Sequence, residues 1–216
     1  MKNKYSIFSL VKNAFSYHEN WQKAWKDPVP KKSKSLTIKF LKGKVVALNN
    51  QKIAGPDLLR NLNALGGSFG IGRSVFASDT IIGLKGRFVF EAPGITILMA
   101  AHRALEECVL TDKQNSFKSS VGQEWVNLVY RGFFFDPLRE NLECFLLDSQ
   151  KTVSGEVVVT LSPGKVESVA VHSKNILKSK EGVYAQSAKW TEAESQGFIK
   201  LIGQSTSTWS SLHYKK

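Results

Sequence analysis

The sequence predicts an α+β domain in which antiparallel hairpins pack with several helices. Three observations lead there. Apolar residues alternate with polar ones at Leu36–Phe40, and period two returns across Val153–Leu161 and Val166–His172, as in half-buried strands. Between these stretches, apolar residues recur at three- and four-residue spacing, as on helices with one buried face. A glycine-rich stretch, Gly66 to Leu98, links the two patterns and passes into a helix at Pro93, where one can start.

Residues 1–34 read as a basic arm and linker. Ile7, Leu10, Val11 and Phe15 fall near one helical face, and Pro28 and Pro30 with Lys31-Lys32 mark the linker. Residues 35–203 form the domain, and 204–216 read as a polar tail without periodicity. The domain opens with a hairpin: Leu36, Ile38 and Phe40 go out, Lys42-Gly43 turns, Val45–Leu48 returns. Gly55-Pro56-Asp57 starts a helix with Leu58, Leu59, Leu62 and Leu65 on its apolar face, and Gly66-Gly67 is expected to end it. Two strands follow, through Val75-Phe76 and Arg87–Glu91. Pro93 to about Val109 is the next helix, with Ile97, Ala101, Leu105 and Cys108 on one face.

Thr111–Asn115 reads as a break before a helix over about Phe117–Tyr130, and a third helix spans about Leu138–Gln150. Phe133-Phe134-Phe135 between them could stack on bases, but a run between two helices is read here as core. The second hairpin turns at Ser162-Pro163-Gly164-Lys165, and the polar, lysine-rich 174–188 is a loop. Thr191-x-x-Glu194 is a capping box opening a helix into Gly197–Leu201.

Composition narrows the function classes. The chain has 216 residues, 42% hydrophobic and 22% charged, which excludes a disordered polymer and suits one core with arms. The net charge is +12. Eight lysines in residues 1–35 (Lys2, Lys4, Lys12, Lys23, Lys26, Lys31, Lys32, Lys34) oppose only Glu19 and Asp27. The arm is thus a candidate contact for nucleic acid, against the alternative of a merely lysine-rich surface. Cys108 and Cys144 are too few for a disulfide framework or a zinc site and read as buried thiols. No apolar run reaches membrane-span length and no signal sequence is evident, so the expectation is a cytoplasmic protein. Gly70-x-Gly72 lacks a third glycine at dinucleotide-loop spacing and follows a helix, so it reads as a turn.

Gly70-x-Gly72-Arg73, then Gly83-x-Lys85-x-Arg87, then Glu91-x-Pro93-Gly94 resembles the C-terminal half of argininosuccinate synthase. Ser16-x-His18-x-Asn20, Val153-x-Gly155-x-Val157 and Gly197-Phe198-Ile199-Lys200-Leu201 continue the resemblance in order, over about Phe15 to Ile202. It implies a family reaction in which ATP activates citrulline for attack by aspartate. It also implies that Ser16, Ser78 and Phe90 stand at citrulline-contact positions. The family carries an acid where this chain has Ser78 and a tyrosine where it has Phe90, and His18 replaces an acid in the first motif.

The family's ATP loop, S-G-G-x-D-T-S, belongs to its N-terminal half and does not occur in these 216 residues. The expectation is therefore a domain with no cofactor of its own, inactive alone and binding citrulline weakly. ATP would come only with a separate ATP-binding chain, as in a split ligase. The resemblance further implies self-association, as a dimer because the family's helical C-terminal arm looks degenerate. The other functional class left open is a basic nucleic-acid-binding protein.

Overall fold

A computed structural model describes residues 30–53, 55–79, 82–83, 85–178 and 190–214. The chain divides into two units, Met1–Leu177 and Lys178–Lys216. The first is an antiparallel sheet with helices, the α+β class that the sequence predicts.

Its sheet has five strands in the order β3-β2-β1-β6-β7. The first strand, β1 (Lys34–Leu41), turns through Lys42 and Gly43, both at positive φ, into β2 (Lys44–Leu48). Asn49 and Asn50, also at positive φ, turn the chain again into β3 (Gln51–Lys52), a strand the sequence reading missed. Asn-Asn is the signal that could have revealed it, since asparagine tolerates the left-handed region better than most residues. The remaining strands, β6 (Gly155–Ser162) and β7 (Lys165–His172), form the second hairpin, and β6 lies beside β1. Register sets Ile38 opposite Val157 and Leu36 opposite Val159. Leu36, Ile38, Phe40, Val157, Val159 and Leu161 are buried on one face.

Two helices supply most of the rest of this core, joined by Phe69, Ile71, Leu110 and Val153 from the connections. Leu58 and Leu62 come from α1 (Gly55–Ser68), and Ile97, Ala101, Leu105 and Val109 from α2 (Pro93–Val109). The expected stop at Gly66-Gly67 is corrected: both lie inside α1 and are buried. Space decides this, because a Cβ on Gly66 would stand 2.8 Å from Ile97 Cδ1 and 2.9 Å from Pro93 Cβ. The helix ends instead at Gly70, φ +69°, with Ile71 N–H donating to Gly66 O at 3.0 Å and Gly70 N–H to Gly67 O at 2.8 Å, a Schellman closure.

Two further helices make a hairpin, α3 (Asp112–Tyr130) and α4 (Pro137–Ser149). The break expected at Thr111–Asn115 is the first turn of α3. Thr111 caps it through a capping box with Gln114, a pairing the sequence reading overlooked. The core reading of Phe133–Phe135 is also corrected. Phe133 and Phe134 are 49% exposed and Phe135 91%, because residues 131–136 form the tip of the helical hairpin. Arg131 stands over the Phe133 ring, and Arg139 over Phe134 at 4.7 Å. The cysteines differ too: Cys108 is half-buried and Cys144 is exposed on α4.

The second unit holds α5 (Glu192–Ile202), opened by the predicted Thr191–Glu194 capping box, and α6 (Gln204–His213). The stretch read as a polar tail is thus helical over Gln204–His213. Trp209 stacks on His213, ring centroids 4.4 Å apart, and Thr208 Oγ1 donates to Gln204 O at 2.9 Å. Neither helix buries a residue.

Candidate functional site

The glycine-rich stretch builds a two-stranded ribbon, β4 (Arg73–Asp79) and β5 (Lys85–Glu91). Its root is Gly72, at φ +80°. A Cβ there would lie 2.7 Å from the Ala92 carbonyl and from Pro93 Cα, so glycine is required for both conformation and space. Ala92 N–H donates to Gly72 O at 3.0 Å and closes the root. From it, Arg73 pairs with Glu91, Ser74 with Phe90, Ser78 with Gly86 and Asp79 with Lys85. At the root, Arg73 stands opposite Glu91 in register, which favours this pairing over a slipped one.

By this register, positions 78 and 90 fall on the same ribbon face. They are four residues apart along the strands, or about 13 Å at 3.3 Å per residue. A ligand touching both lies lengthwise on the ribbon. Phe90 is exposed. Ser16, the third predicted contact, lies outside the described residues. So do the lysines before Pro30 on which the nucleic-acid reading rests.

A second polar cluster lies where α2 meets α3. Glu106, only 8% exposed, accepts from Lys118 Nζ at 3.0 and 3.2 Å and from Gln150 Nε2 at 2.8 Å. His102 joins it: one ring nitrogen is 3.0 Å from Gln150 Oε1 and the other 3.6 Å from Glu106 Oε1. The sequence reading missed this network. Its signal is a histidine and a glutamate four apart on a helix, which places both on one face. The adjoining groove, about 580 Å³, is also lined by Met99, Asn115 and Ser119. The acceptors of Glu106 are spent on neighbouring side chains, so the cluster ties α2 to α3 and to the 3-10 turn Gln150–Thr152.

Two carboxylates are held below their ordinary range. Lys39, bonded at 2.8 Å across β1 and β6, lowers Glu156 through hydrogen bond and charge. At the start of α5, hydrogen bonds from the Thr191 backbone and hydroxyl lower Glu194. Among the described residues, no group of three or more His, Cys, Asp or Glu could hold a metal ion. Nor is any helix among them long and apolar enough to cross a membrane.

This geometry defines a class: an α+β domain that presents its candidate site on a two-stranded ribbon, rooted where a sheet-covering helix begins. Comparison with known proteins gives the family. Residues 7–209 match the family described as Arginosuccinate synthase C-terminal domain. Argininosuccinate synthase of Xylella fastidiosa is 50% identical over 176 residues, 82% of this chain and 44% of that protein. The Xanthomonas campestris protein of the same name is 47% identical over 184 residues, 85% of this chain and 46% of that one. That of the more distant Methanocaldococcus jannaschii is 38% identical over 182 residues, 83% and 46%. The chain therefore belongs to the argininosuccinate synthase C-terminal domain family. It spans about half the length of the curated relatives it matches.

Proposed function

We propose that this domain is the citrulline-side half of a cytoplasmic, ATP-dependent ligase that joins citrulline to aspartate. The family match across residues 7–209 carries this reading, because it includes the whole ribbon with positions 78 and 90. ATP is bound by a separate half, on the same chain or on another. Neither the S-G-G-x-D-T-S loop nor a G-x-x-x-x-G-K-[ST] loop occurs in these 216 residues, and lysines alone attract phosphates without orienting them. The domain by itself forms no argininosuccinate.

Substitution at the ribbon weakens citrulline binding in this reading. An acid replaced by Ser78 costs about 1.5–3 kcal/mol, and a phenol replaced by Phe90 about 1. Together they amount to about 3 kcal/mol, or roughly a hundredfold in affinity. The test mixes the chain with the ATP-binding half of a relative and follows citrulline- and aspartate-dependent ATP consumption. Turnover by the mixture and none by either half supports the proposal; no turnover by a mixture that does associate removes it. Calorimetry supplies the second arm. The double variant Ser78→Glu with Phe90→Tyr should bind citrulline roughly a hundredfold more tightly than the natural chain. Unchanged affinity detaches these positions from citrulline.

Self-association is a second proposal, and the exposed rings of Phe117, Tyr130 and Phe133–Phe135 favour it. Light scattering at micromolar concentration should show a dimer, and a clean monomer there ends the idea.

A further inference from the structure

We infer that Asn63 is a positioning residue for the ribbon, an inference that rests on the ribbon being the citrulline site. The helix that follows the ribbon, α2, needs acceptors for its first N–H groups. Pro93 has no N–H to satisfy, and Ala92, at the N-cap, has no side-chain oxygen and makes no capping bond. The cap comes from another helix. Gly94 N–H donates to Asn63 Oδ1 at 2.8 Å, from the last two turns of α1.

Glycine at 94 is what allows this approach. A Cβ there would stand 2.8 Å from Asn63 Oδ1 and 3.2 Å from Leu62 Cβ. Gly66, three residues beyond Asn63 and on the same stripe of α1, meets Pro93 and Ile97 with equally little room. Asn63 and Gly66 thus grip the first turn of α2 between them. Phe90 lies two residues before Ala92, and Arg73 directly follows Gly72, to which Ala92 is bonded at 3.0 Å. Both strands leave from this clamp. Among the described residues the two strands pack chiefly on each other, and Asn63 and Gly66 hold the root from which both leave. Asn63 never needs to touch substrate to decide where Phe90 is held.

Hydrogen exchange on the full chain tests this with Asn63→Ala and Asn63→Asp. The alanine variant should speed exchange of Gly94 and of the ribbon amides by about tenfold, while amides pairing β1 with β6 change less than twofold. The aspartate variant keeps an acceptor at the positive end of α2 and should restore slow exchange. Uniform acceleration in Asn63→Ala, or no rescue by Asn63→Asp, overturns the positioning role. A second readout separates this inference from the function on which it rests. In the mixture with an ATP-binding half, Asn63→Ala should raise KM for citrulline several-fold and leave KM for ATP unmoved. Should the ribbon loosen while the citrulline KM stays put, positioning stands and the ribbon is not the citrulline contact.

Discussion

The sheet-and-helix body and the helical hairpin of α3 and α4 are written in the same pattern and end in opposite surroundings. In the body, Ile38, Leu62, Ile97, Leu105 and Val157 have no exposed surface. In the hairpin, Val121 is the buried apolar residue, while Phe117, Val126, Tyr130, Leu138 and Leu147 are exposed. Apolar residues at helical spacing state which face of a helix avoids water. They do not state what covers that face. The body closes because its sheet and helices supply apolar faces to one another; in the hairpin, Phe117 packs edge-on against Phe145 at 5.3 Å, and Trp125, Leu128, Val129, Leu142 and Leu146 are only half-buried.

The comparison can be broken by mutation. Leu105→Ala, in the body, should cost about 3 kcal/mol of unfolding free energy by denaturant titration, the expected effect of a cavity in a closed core. Lys118→Met comes next. It leaves Glu106 short of its cation and should cost about 2 kcal/mol, less than a fully enclosed pair because the lysine is partly wet. Lys118 lies on α3, so this measures how firmly the hairpin is tied to the body. Phe135→Ser, measured at a concentration low enough to keep the chain monomeric, should change stability by no more than about 0.5 kcal/mol. A loss there matching that of Leu105→Ala would show the hairpin tip covered in solution, and the contrast between the regions would fall.

The smallest effect is on acid tolerance. Glu156 has its folded pKa depressed below the ordinary 4.5 by Lys39. The stabilisation is thus full above 4.5 and is lost as pH falls through the lower folded value. Lys39→Met should flatten the acid limb of stability against pH; an unchanged limb would mean the pair contributes nothing.

What the sequence disclosed follows the same division. Both hairpins, the start of α1, the full extent of α2 and the α5 capping box were legible, because each is set by local chemistry: alternation, a proline, a Thr-x-x-Glu. Phe133–Phe135 were misread as core, since ring exposure depends on what lies beyond the tip of α3. The stop at Gly66-Gly67 was misplaced for a related reason. Gly66 answers to Pro93 and Ile97, more than twenty-five residues away. Of the candidate site, positions 78 and 90 came from a motif and the structure set them on one face. The Asn63 cap was invisible, because an asparagine mid-helix carries no mark of the backbone it will meet. The α6 helix was missed because Gln-Ser-Thr-Ser-Thr offers no apolar stripe to read.

The place of β1 in the sheet has a consequence for how the chain reaches this form. β1 pairs at once with β2, but its other neighbour is far off: Lys39 and Glu156, joined across β1 and β6, are 117 residues apart. The entropic cost of closing so long a loop grows only slowly with length, yet the search for non-local pairing slows folding. On the ribosome, Leu36, Ile38 and Phe40 emerge with half of their cover unmade. They wait until Gly155–Ser162 has been synthesised, and the exposed inner face of the first hairpin is where a nascent chain would stick or call on a chaperone. Pulsed hydrogen exchange during refolding should find β1–β2 amides protected before those shared with β6, and simultaneous protection would contradict this order.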